Sequence, residues 1–192
     1  MTIWFILIGI ALLVANGFFV AAEFALTASR RTKLEQMAAE GDPRAKLAIA
    51  SVRELSLMLA GAQLGITMAS LGLGYVAEPA VARVIEDGLS SLGEIPEGLL
   101  HTLSFVVALT IVVFFHMVVG EMAPKNIAIA RPEASALWLA VPFRAYVVIF
   151  RPVVRALNGV ANSGCRALGI EPRDEVLTPQ SVEEIRRTIE ES

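Results

Sequence analysis

The sequence is poor in charged residues and has a single cysteine. Of its 192 residues, 18% are charged and 55% are hydrophobic, whereas soluble domains carry about 25% charged and about 45–50% apolar residues. This shortage of charge excludes a compact soluble enzyme and indicates a membrane protein. The lone Cys165 excludes an internal disulfide framework and is interpreted as a packing residue. The formal net charge of −3 is too small to indicate a nucleic-acid partner.

Charged residues are missing altogether from three long stretches. Residues 3–22, 55–77 and 99–119 contain no Lys, Arg, Asp or Glu, and each is about as long as the roughly 20 residues that cross a bilayer core. Buried helices of a soluble bundle would show a polar face, and the third stretch shows almost none. No basic residue precedes the first stretch, which argues against a signal peptide. We therefore expect an all-α membrane protein with three transmembrane helices, at about 3–28, 55–77 and 99–123.

Basic residues are distributed unevenly among the connecting segments. They follow the first span and the third span, whereas Arg83 is the one basic residue between the second and third spans. Because positively charged loops stay in the cytoplasm, this bias places the N-terminus outside and the C-terminus inside. We expect a multi-pass protein of the cell membrane. Between the first two spans, residues 32–53 are predicted to form a polar cytoplasmic helix pair interrupted by the sequence GDP at 41–43.

The segment 136–170 is apolar but carries arginines at about helical spacing. The arginines are Arg144, Arg151 and Arg155, and two prolines, Pro142 and Pro152, are expected to interrupt the segment. A fourth span would place arginines in hydrocarbon, at a cost of a few kcal/mol each. A helix lying along the cytoplasmic interface avoids that cost. We therefore assign 1–135 to the transmembrane domain and prefer a juxtamembrane helical belt for 136–170, with a fourth span as the alternative.

The last 22 residues, 171–192, are polar. Within them, Ser181 and Glu184 have the spacing of a capping box, which predicts the start of a soluble helix. The sequence ends within that predicted helix, so we expect a fragment whose cytosolic part continues beyond it.

The second span has two contrasting faces. Small residues recur on one face, at Gly61, Gly65, Ala69 and Gly72. Small residues let helices approach closely in lipid, so this face predicts helix packing and a dimer interface. Oxygen-bearing side chains recur on roughly the opposite face, at Gln63, Thr67 and Ser70. The alternative for the two hydroxyl groups is a hydrogen bond to a carbonyl of their own helix.

Polar residues also interrupt the first span. Asn16 and Glu23 are seven positions apart and share a helical face. Asn16 lies deep in the span and needs hydrogen-bond partners, because an unsatisfied amide in hydrocarbon is costly. Glu23 is a candidate ligand, with an interfacial ion pair to Arg30 as the alternative.

The sequence GEMAP, residues 120–124, interrupts the third span. Pro124 has no amide hydrogen, so the carbonyl of Gly120 loses its helical donor. This places a free carbonyl beside Glu121 at a break in the helix, and hard cations prefer such oxygen ligands. Broken helices recur at the ion sites of transporters. The alternative is that Glu121 pairs with Lys125 on the next turn.

Other residue types limit the chemistry of this site. His116 is predicted to point about 120° or more away from Glu121, and a hydrogen bond between helices suits it better than metal ligation. Oxygen ligands disfavour zinc and copper and leave Mg²⁺, Ca²⁺, Mn²⁺ and Na⁺ open. No aspartate lies within a span, and no Ser/His pair faces one way, so the parts of an intramembrane protease are missing.

Three segments resemble the transmembrane domain of the CNNM/CorC family, whose bacterial branch is also labelled hemolysin-like. They are NGFFVAAEFAL (16–26), QLGITMASLGLGYVAEPA (63–80) and GEMAPKNIAI (120–129). The resemblance implies a Mg²⁺ transporter, an exporter in many members, with Na⁺ as a coupling ion. It also implies a homodimer of three-span subunits with a belt of juxtamembrane helices. Cytosolic CBS modules that bind ATP follow in full-length members, so we expect no nucleotide to bind this fragment.

The resemblance also implies a ligand set. Glu121 matches the motif glutamate that binds a dehydrated Mg²⁺, Gly120 matches its neighbour as a carbonyl ligand, and Ser70 matches a serine ligand of the second span. Gln63 and Thr67 occupy the polar stripe. Val20 and Ala22 stand where relatives of the other branch carry serines, so the site would use Asn16 or Glu23 instead, or serve another hard cation. The functional alternative is a membrane scaffold or sensor that binds a cation without transporting it.

Overall fold

A computed structural model describes residues 2–90 and 96–169, and these residues form helices and short connections without a strand. The helices are α1 (Thr2–Ala28), α2 (Arg31–Ala39), α3 (Pro43–Arg53), α4 (Leu55–Ser90), α5 (Glu97–Phe115), a π-helical segment (His116–Met122), α6 (Ala123–Ala130) and α7 (Pro132–Ala167). The predicted all-α class is therefore confirmed. The predicted capping box at Ser181 and Glu184 lies outside the described residues.

Within residues 2–90 and 96–169, four helical stretches, not three, are long and apolar enough to cross a membrane. They are Ile3–Ala28, Leu55–Ser90, Glu97–Ala130 and Pro132–Ala167. A multi-pass helical membrane protein is thus supported, whereas length and composition do not single out three spans. The second stretch is longer than the expected 55–77, because α4 continues through Pro79 to Ser90.

Helices α1 and α4 pack closely against each other in antiparallel directions. Small residues at the interface make the approach possible: a Cβ atom added to Gly9 would lie 3.2 Å from the Cβ of Ala77, and one added to Gly65 would lie 2.6 Å from the ring of Phe19. The facing residues advance along α1 as they retreat along α4, which is the signature of an antiparallel pair. This pair forms the frame of the bundle.

The expected polar helix pair between the first two long helices is confirmed as α2 and α3. Asp42 caps α3, because its carboxylate accepts a hydrogen bond of 2.8 Å from the backbone N–H of Arg44, and Pro43 occupies the first helical turn. Leu34 of α2 and Ala48 of α3 are fully buried. The pair is therefore part of the packed core and not a loose connection.

Helix α7 continues through both of its prolines, so the expected interruption at Pro142 and Pro152 is wrong. Each proline removes only one helical hydrogen bond, and both lie on the exposed side of the helix. The opposite side carries a buried stripe that packs on α1, α3 and α4. The stripe includes Ala136, Ala140, Phe143, Val147 and Val154. This packing holds the helix together despite the missing donors.

Ion pairs attach α7 to the connections between the other helices. The buried carboxylate of Glu133 lies 3.2 Å from Arg30 Nε and 3.3 Å from Lys33 Nζ, just after the end of α1. Further along α7, Arg151 Nη2 lies 3.6 Å from a carboxylate oxygen of Glu54, just before the start of α4. Because α1 and α4 are antiparallel, both contacts lie at the same end of that pair.

Candidate functional site

The helix that contains GEMAP widens at this motif instead of breaking. Residues His116–Met122 form a π-helical segment, and the amide of Ala123 donates to the carbonyl of Val118, five residues earlier. A π-helical turn adds one residue to the turn and is frequent at functional sites. The local cause is Pro124, which cannot donate to Gly120 in the ordinary helical pattern.

Asn16 provides the donor that Pro124 lacks. Its side-chain Nδ2 donates a hydrogen bond of 3.0 Å to the carbonyl of Gly120, and Asn16 itself is fully buried within α1. Since a carbonyl can only accept, this contact fixes the orientation of the amide. The deep asparagine in the first span thus has its partner in the third.

Ser70 occupies the other side of the same amide. The Ser70 hydroxyl donates to Asn16 Oδ1 over 3.0 Å, and His116 Nε2 lies 3.1 Å from the Ser70 oxygen. The single hydroxyl hydrogen is used by Asn16, so Nε2 of His116 must carry a proton and donate to Ser70. Residues of α1, α4 and the π-helical segment therefore share one hydrogen-bonded chain inside the bundle.

The structure brings His116 and Glu121 together, so the prediction that they point apart is wrong. His116 Nε2 lies 3.6 Å from a carboxylate oxygen of Glu121. The prediction assumed the rotation of an α-helix, whereas a π-helical turn stacks residues five positions apart. The role predicted for His116, a hydrogen bond to another helix, matches its contact with Ser70.

Gly120 is small because the site is crowded. A Cβ atom at this position would lie 3.0 Å from Leu13 Cδ1, 3.1 Å from His116 Cδ2 and 3.2 Å from Asn16 Nδ2. Gly17 has the matching role on α1, where an added Cβ would lie 3.0 Å from Pro124 Cγ. The sequence shows no sign of this second contact, because the two residues are far apart in the chain.

A second polar contact lies further along the interface of α1 and α4. Glu23 follows Asn16 by seven residues, and Gln63 precedes Ser70 by seven. Gln63 Nε2 donates to a carboxylate oxygen of Glu23 over 3.4 Å. Seven residues correspond to about 10 Å along a helix, so the Glu23–Gln63 pair is a separate polar contact and not part of the cluster around Asn16.

The remaining candidates make other contacts. The Thr67 hydroxyl donates to its own helix, to the carbonyl of Gln63 at 2.8 Å, which is the alternative considered for it. Lys125 Nζ lies over the ring of Phe24, 4.6 Å from the centroid, and Arg30 pairs with Glu133. The alternative ion-pair partners considered for Glu121 and Glu23 therefore contact other side chains.

The stripe of small residues on α4 packs within the chain. Added Cβ atoms would lie 2.8 Å from Val147 at Gly61, 2.6 Å from Phe19 at Gly65 and 3.3 Å from Leu12 at Gly72. Ala69 is buried as well. These small residues of α4 pack against α1 and α7 of the same chain, so this face of α4 is covered within one subunit.

The two ends of the α1–α4 interface differ in polarity. On the side of Asn16 away from Glu23, a cavity of about 330 Å³ lies between α1, α4 and α5. Its lining is apolar and includes Leu13, Leu73 and Phe115. In the described part of the chain, the polar contact between Gln63 and Glu23 therefore lies on the opposite side of Asn16 from this apolar cavity.

The cluster offers oxygen ligands rather than a cage of charged side chains. Its oxygens belong to the Asn16 amide, the Ser70 hydroxyl, the Gly120 carbonyl and the Glu121 carboxylate. Among residues 2–90 and 96–169, no group of three or more His, Cys, Asp and Glu side chains is placed to hold a metal ion. This donor set suits a hard cation and not zinc or copper.

Long apolar helices around a buried polar cluster define a polytopic α-helical membrane domain. The profile of the CNNM family, described as the Cyclin M transmembrane N-terminal domain, matches residues 7–192. The chain belongs to this family, whose membrane domains are of the transporter type and are generally linked to divalent cation transport.

Several bacterial proteins are similar to the chain over nearly all of its length. The uncharacterized protein Rv1841c of Mycobacterium tuberculosis is 43% identical over 187 residues, which is 97% of this chain and 53% of that protein. The UPF0053 protein YhdT of Bacillus subtilis is 40% identical over 187 residues, which is 97% of this chain and 40% of that protein. The chain thus spans about half the length of these relatives, or less.

Proposed function

We propose that the chain is the membrane domain of a divalent cation transporter that carries Mg²⁺ as its substrate. The observation that supports this most directly is the cluster at the π-helical segment. There, Asn16, Ser70 and Gly120 share hydrogen bonds inside the bundle, and the carboxylate of Glu121, 38% exposed, lies 3.6 Å from His116 of the same cluster. An acid within a membrane span is costly, and it indicates function more often than structure.

Binding requires one rearrangement that the geometry makes easy to define. Asn16 now presents its nitrogen to the Gly120 carbonyl, and rotating the amide would turn Oδ1 toward that carbonyl. A cation between the two oxygens would then replace the amide hydrogens as the positive partner. The Glu121 carboxylate would supply the charge, and solvent would complete the six ligands that Mg²⁺ prefers.

We propose that Glu23 and Gln63 form a second binding position on the pathway of the cation. Their contact lies about 10 Å from Asn16 along α1, on the side where the interface stays polar. Thr67 lies between Gln63 and Ser70 on α4. Its exposed hydroxyl group donates to a backbone carbonyl, so the hydroxyl oxygen retains a free lone pair that could contact the cation between the two binding positions. The apolar cavity near Leu13 would have to open or hydrate before a cation could leave on the other side.

We also propose three membrane spans, with α7 as a belt. Glu133 and Arg151 are eighteen residues apart on α7, about 27 Å along a helix. Both nevertheless contact the same end of the α1–α4 pair, through Arg30 and Glu54 respectively. A helix that crossed the bilayer beside α1 would place these residues at opposite ends. The proposed orientation is N-terminus outside and C-terminus cytoplasmic, in the plasma membrane.

The whole protein is proposed to act as a homodimer, with cytosolic CBS modules and Na⁺ as a coupling ion. Nucleotide is expected to bind the CBS modules and not this domain. A dimer interface would have to use surface other than Gly61 and Gly65, which pack inside one chain. No catalytic role is proposed.

The test is Mg²⁺-dependent thermal stability of the purified full-length protein. We expect Mg²⁺ to raise the melting temperature of the wild type, and Glu121→Gln to abolish that rise because it removes the one carboxylate of the cluster. Glu97→Gln, which changes an exposed carboxylate at the start of α5, is the control. An undiminished rise in Glu121→Gln would exclude this site.

Flux measurements in proteoliposomes separate a transporter from a scaffold or sensor. A transporter moves Mg²⁺ across the membrane, and Glu121→Gln stops it. A scaffold would show the same Mg²⁺-dependent stabilisation without any flux. Full-length protein is required, because the chain covers only part of its relatives.

A further inference from the structure

Two arginines of α7 converge on a single carboxylate at the start of α4. Arg144 Nη2 lies 3.9 Å from one oxygen of Glu54, and Arg151 Nη2 lies 3.6 Å from the other. Both distances exceed that of a hydrogen bond, and two positive charges face one negative charge. The group of Arg144, Arg151 and Glu54, called here the arginine pair site, therefore keeps a local charge of about +1.

The guanidinium groups also carry donors without an acceptor. Nη1 of Arg144 and Nε of Arg151 are buried atoms with no hydrogen-bond partner among the described residues. An unsatisfied buried donor on a charged group is costly, so each guanidinium group would gain by turning this donor toward an acceptor oxygen at the surface. The side chains as a whole are 26% and 38% exposed, so a ligand would contact the exposed part of each side chain and draw the buried donor outward.

The surface next to the arginine pair site is apolar. Val148 lies between the two arginines on the same side of α7 and is 57% exposed. A ligand suited to this surface is therefore anionic at one end and apolar next to it, where it meets the exposed valine.

We propose that Arg144 and Arg151 bind the phosphodiester of an anionic phospholipid. A phosphodiester carries one negative charge, which balances the site, and its oxygens accept from guanidinium groups in the forked geometry that arginine favours. The acyl chains lie along the exposed apolar side of α7. The position fits this ligand, because Glu54 immediately precedes the first residue of a long apolar helix, where headgroups border the hydrocarbon.

The test uses full-length protein in detergent and titrates phosphatidylglycerol, phosphatidylcholine or inorganic phosphate while the melting temperature is recorded. We expect phosphatidylglycerol to stabilise the wild type at lower concentration than phosphatidylcholine, and inorganic phosphate to have no effect. The double variant Arg144→Gln with Arg151→Gln should require at least about tenfold more phosphatidylglycerol. Arg44→Gln, an exposed arginine of α3, should behave like the wild type.

Glu54→Gln separates lipid binding from a purely structural role of the arginines. It removes the competing carboxylate, so phosphatidylglycerol should bind more tightly. If the response to lipid is unchanged or weaker in Glu54→Gln, the arginines serve only as partners of Glu54 and the proposal fails. It also fails if the double variant responds to phosphatidylglycerol like the wild type, or if inorganic phosphate stabilises the protein equally well.

Two further measurements cover unfolding and subunit contacts. If the glutamine double variant does not fold, Arg144→Lys with Arg151→Lys keeps the charges and loses the forked donors, and native mass spectrometry should show fewer bound phosphatidylglycerol molecules than in the wild type. An equal number would overturn the proposal. Dissociation of the variant into monomers with an unchanged lipid response would assign the donors to a second copy of the chain instead.

Discussion

Asn16 is the residue whose replacement separates the structural role of the cluster from its proposed role in cation binding. Its nitrogen donates to the Gly120 carbonyl, and its oxygen accepts from Ser70. Asn16→Asp keeps the size but replaces the donor by a second oxygen, so two acceptors then face each other across the 3.0 Å that now separates Asn16 Nδ2 from the Gly120 oxygen. Asn16→Leu has a similar size and removes both polar groups.

The contacts of Asn16 indicate how much stability each variant should lose in the absence of Mg²⁺. In Asn16→Leu, the Gly120 carbonyl loses its donor and the Ser70 hydroxyl loses its acceptor, because His116 Nε2 already donates to Ser70. Each unpaired group should cost about 1–3 kcal/mol. Asn16→Asp leaves the Gly120 carbonyl unpaired beside a negative charge and should cost at least as much as one such group. For a folded unit of this size, 1 kcal/mol corresponds to roughly 2–4 °C in melting temperature.

Mg²⁺ should affect the two variants in opposite ways. Two oxygens that face each other without a hydrogen bond form a better cation site, so Mg²⁺ should raise the melting temperature of Asn16→Asp by more than that of the wild type. Asn16→Leu should lose the response to Mg²⁺. Asn126→Asp adds a charge at an exposed position of α6 and serves as the control. If Asn16→Leu responds to Mg²⁺ like the wild type, Asn16 does not contribute to a cation site.

Two further predictions concern packing and the histidine. Gly65→Ala should be less stable than Gly74→Ala by about 1–3 kcal/mol in thermal unfolding. An added Cβ would lie 2.6 Å from the ring of Phe19 at Gly65, whereas at Gly74 it would meet nothing within 4 Å. Equal stabilities of the two variants would show that α1 can move away from α4. His116→Gln keeps an N–H donor for Ser70 and should retain most of the stability that His116→Leu loses, about 1 kcal/mol, and the reverse order would contradict the assigned direction of that hydrogen bond.

Sequence patterns were sufficient for the class of fold and for the family. Runs without charge identified the long helices, and the turn at GDP separated α2 from α3. Sequence patterns predict an interruption at Pro142 and Pro152 that does not occur, because the packing of α7 on three other helices outweighs the tendency of proline to end a helix. Local rules are overridden where tertiary contacts hold the helix in place.

The site was predictable only in part, for a similar reason. The sequence indicated that Pro124 would leave the Gly120 carbonyl without its donor, and that Asn16 needed a partner. The sequence could not indicate that the Asn16 side chain donates to the Gly120 carbonyl, because this hydrogen bond joins residues 104 positions apart. The relation of His116 to Glu121 was predicted wrongly, since a π-helical turn changes which side chains share a face.

The most direct test of the account is an anomalous difference map from crystals of the full-length protein soaked in Mn²⁺. Mn²⁺ accepts the same oxygen ligands as Mg²⁺ and gives an anomalous signal. We expect a peak between the Gly120 carbonyl, the Ser70 hydroxyl and the Glu121 carboxylate, with the Asn16 amide rotated so that its oxygen faces the ion. A map with no peak at this cluster, and peaks only elsewhere, would contradict the proposed cation site.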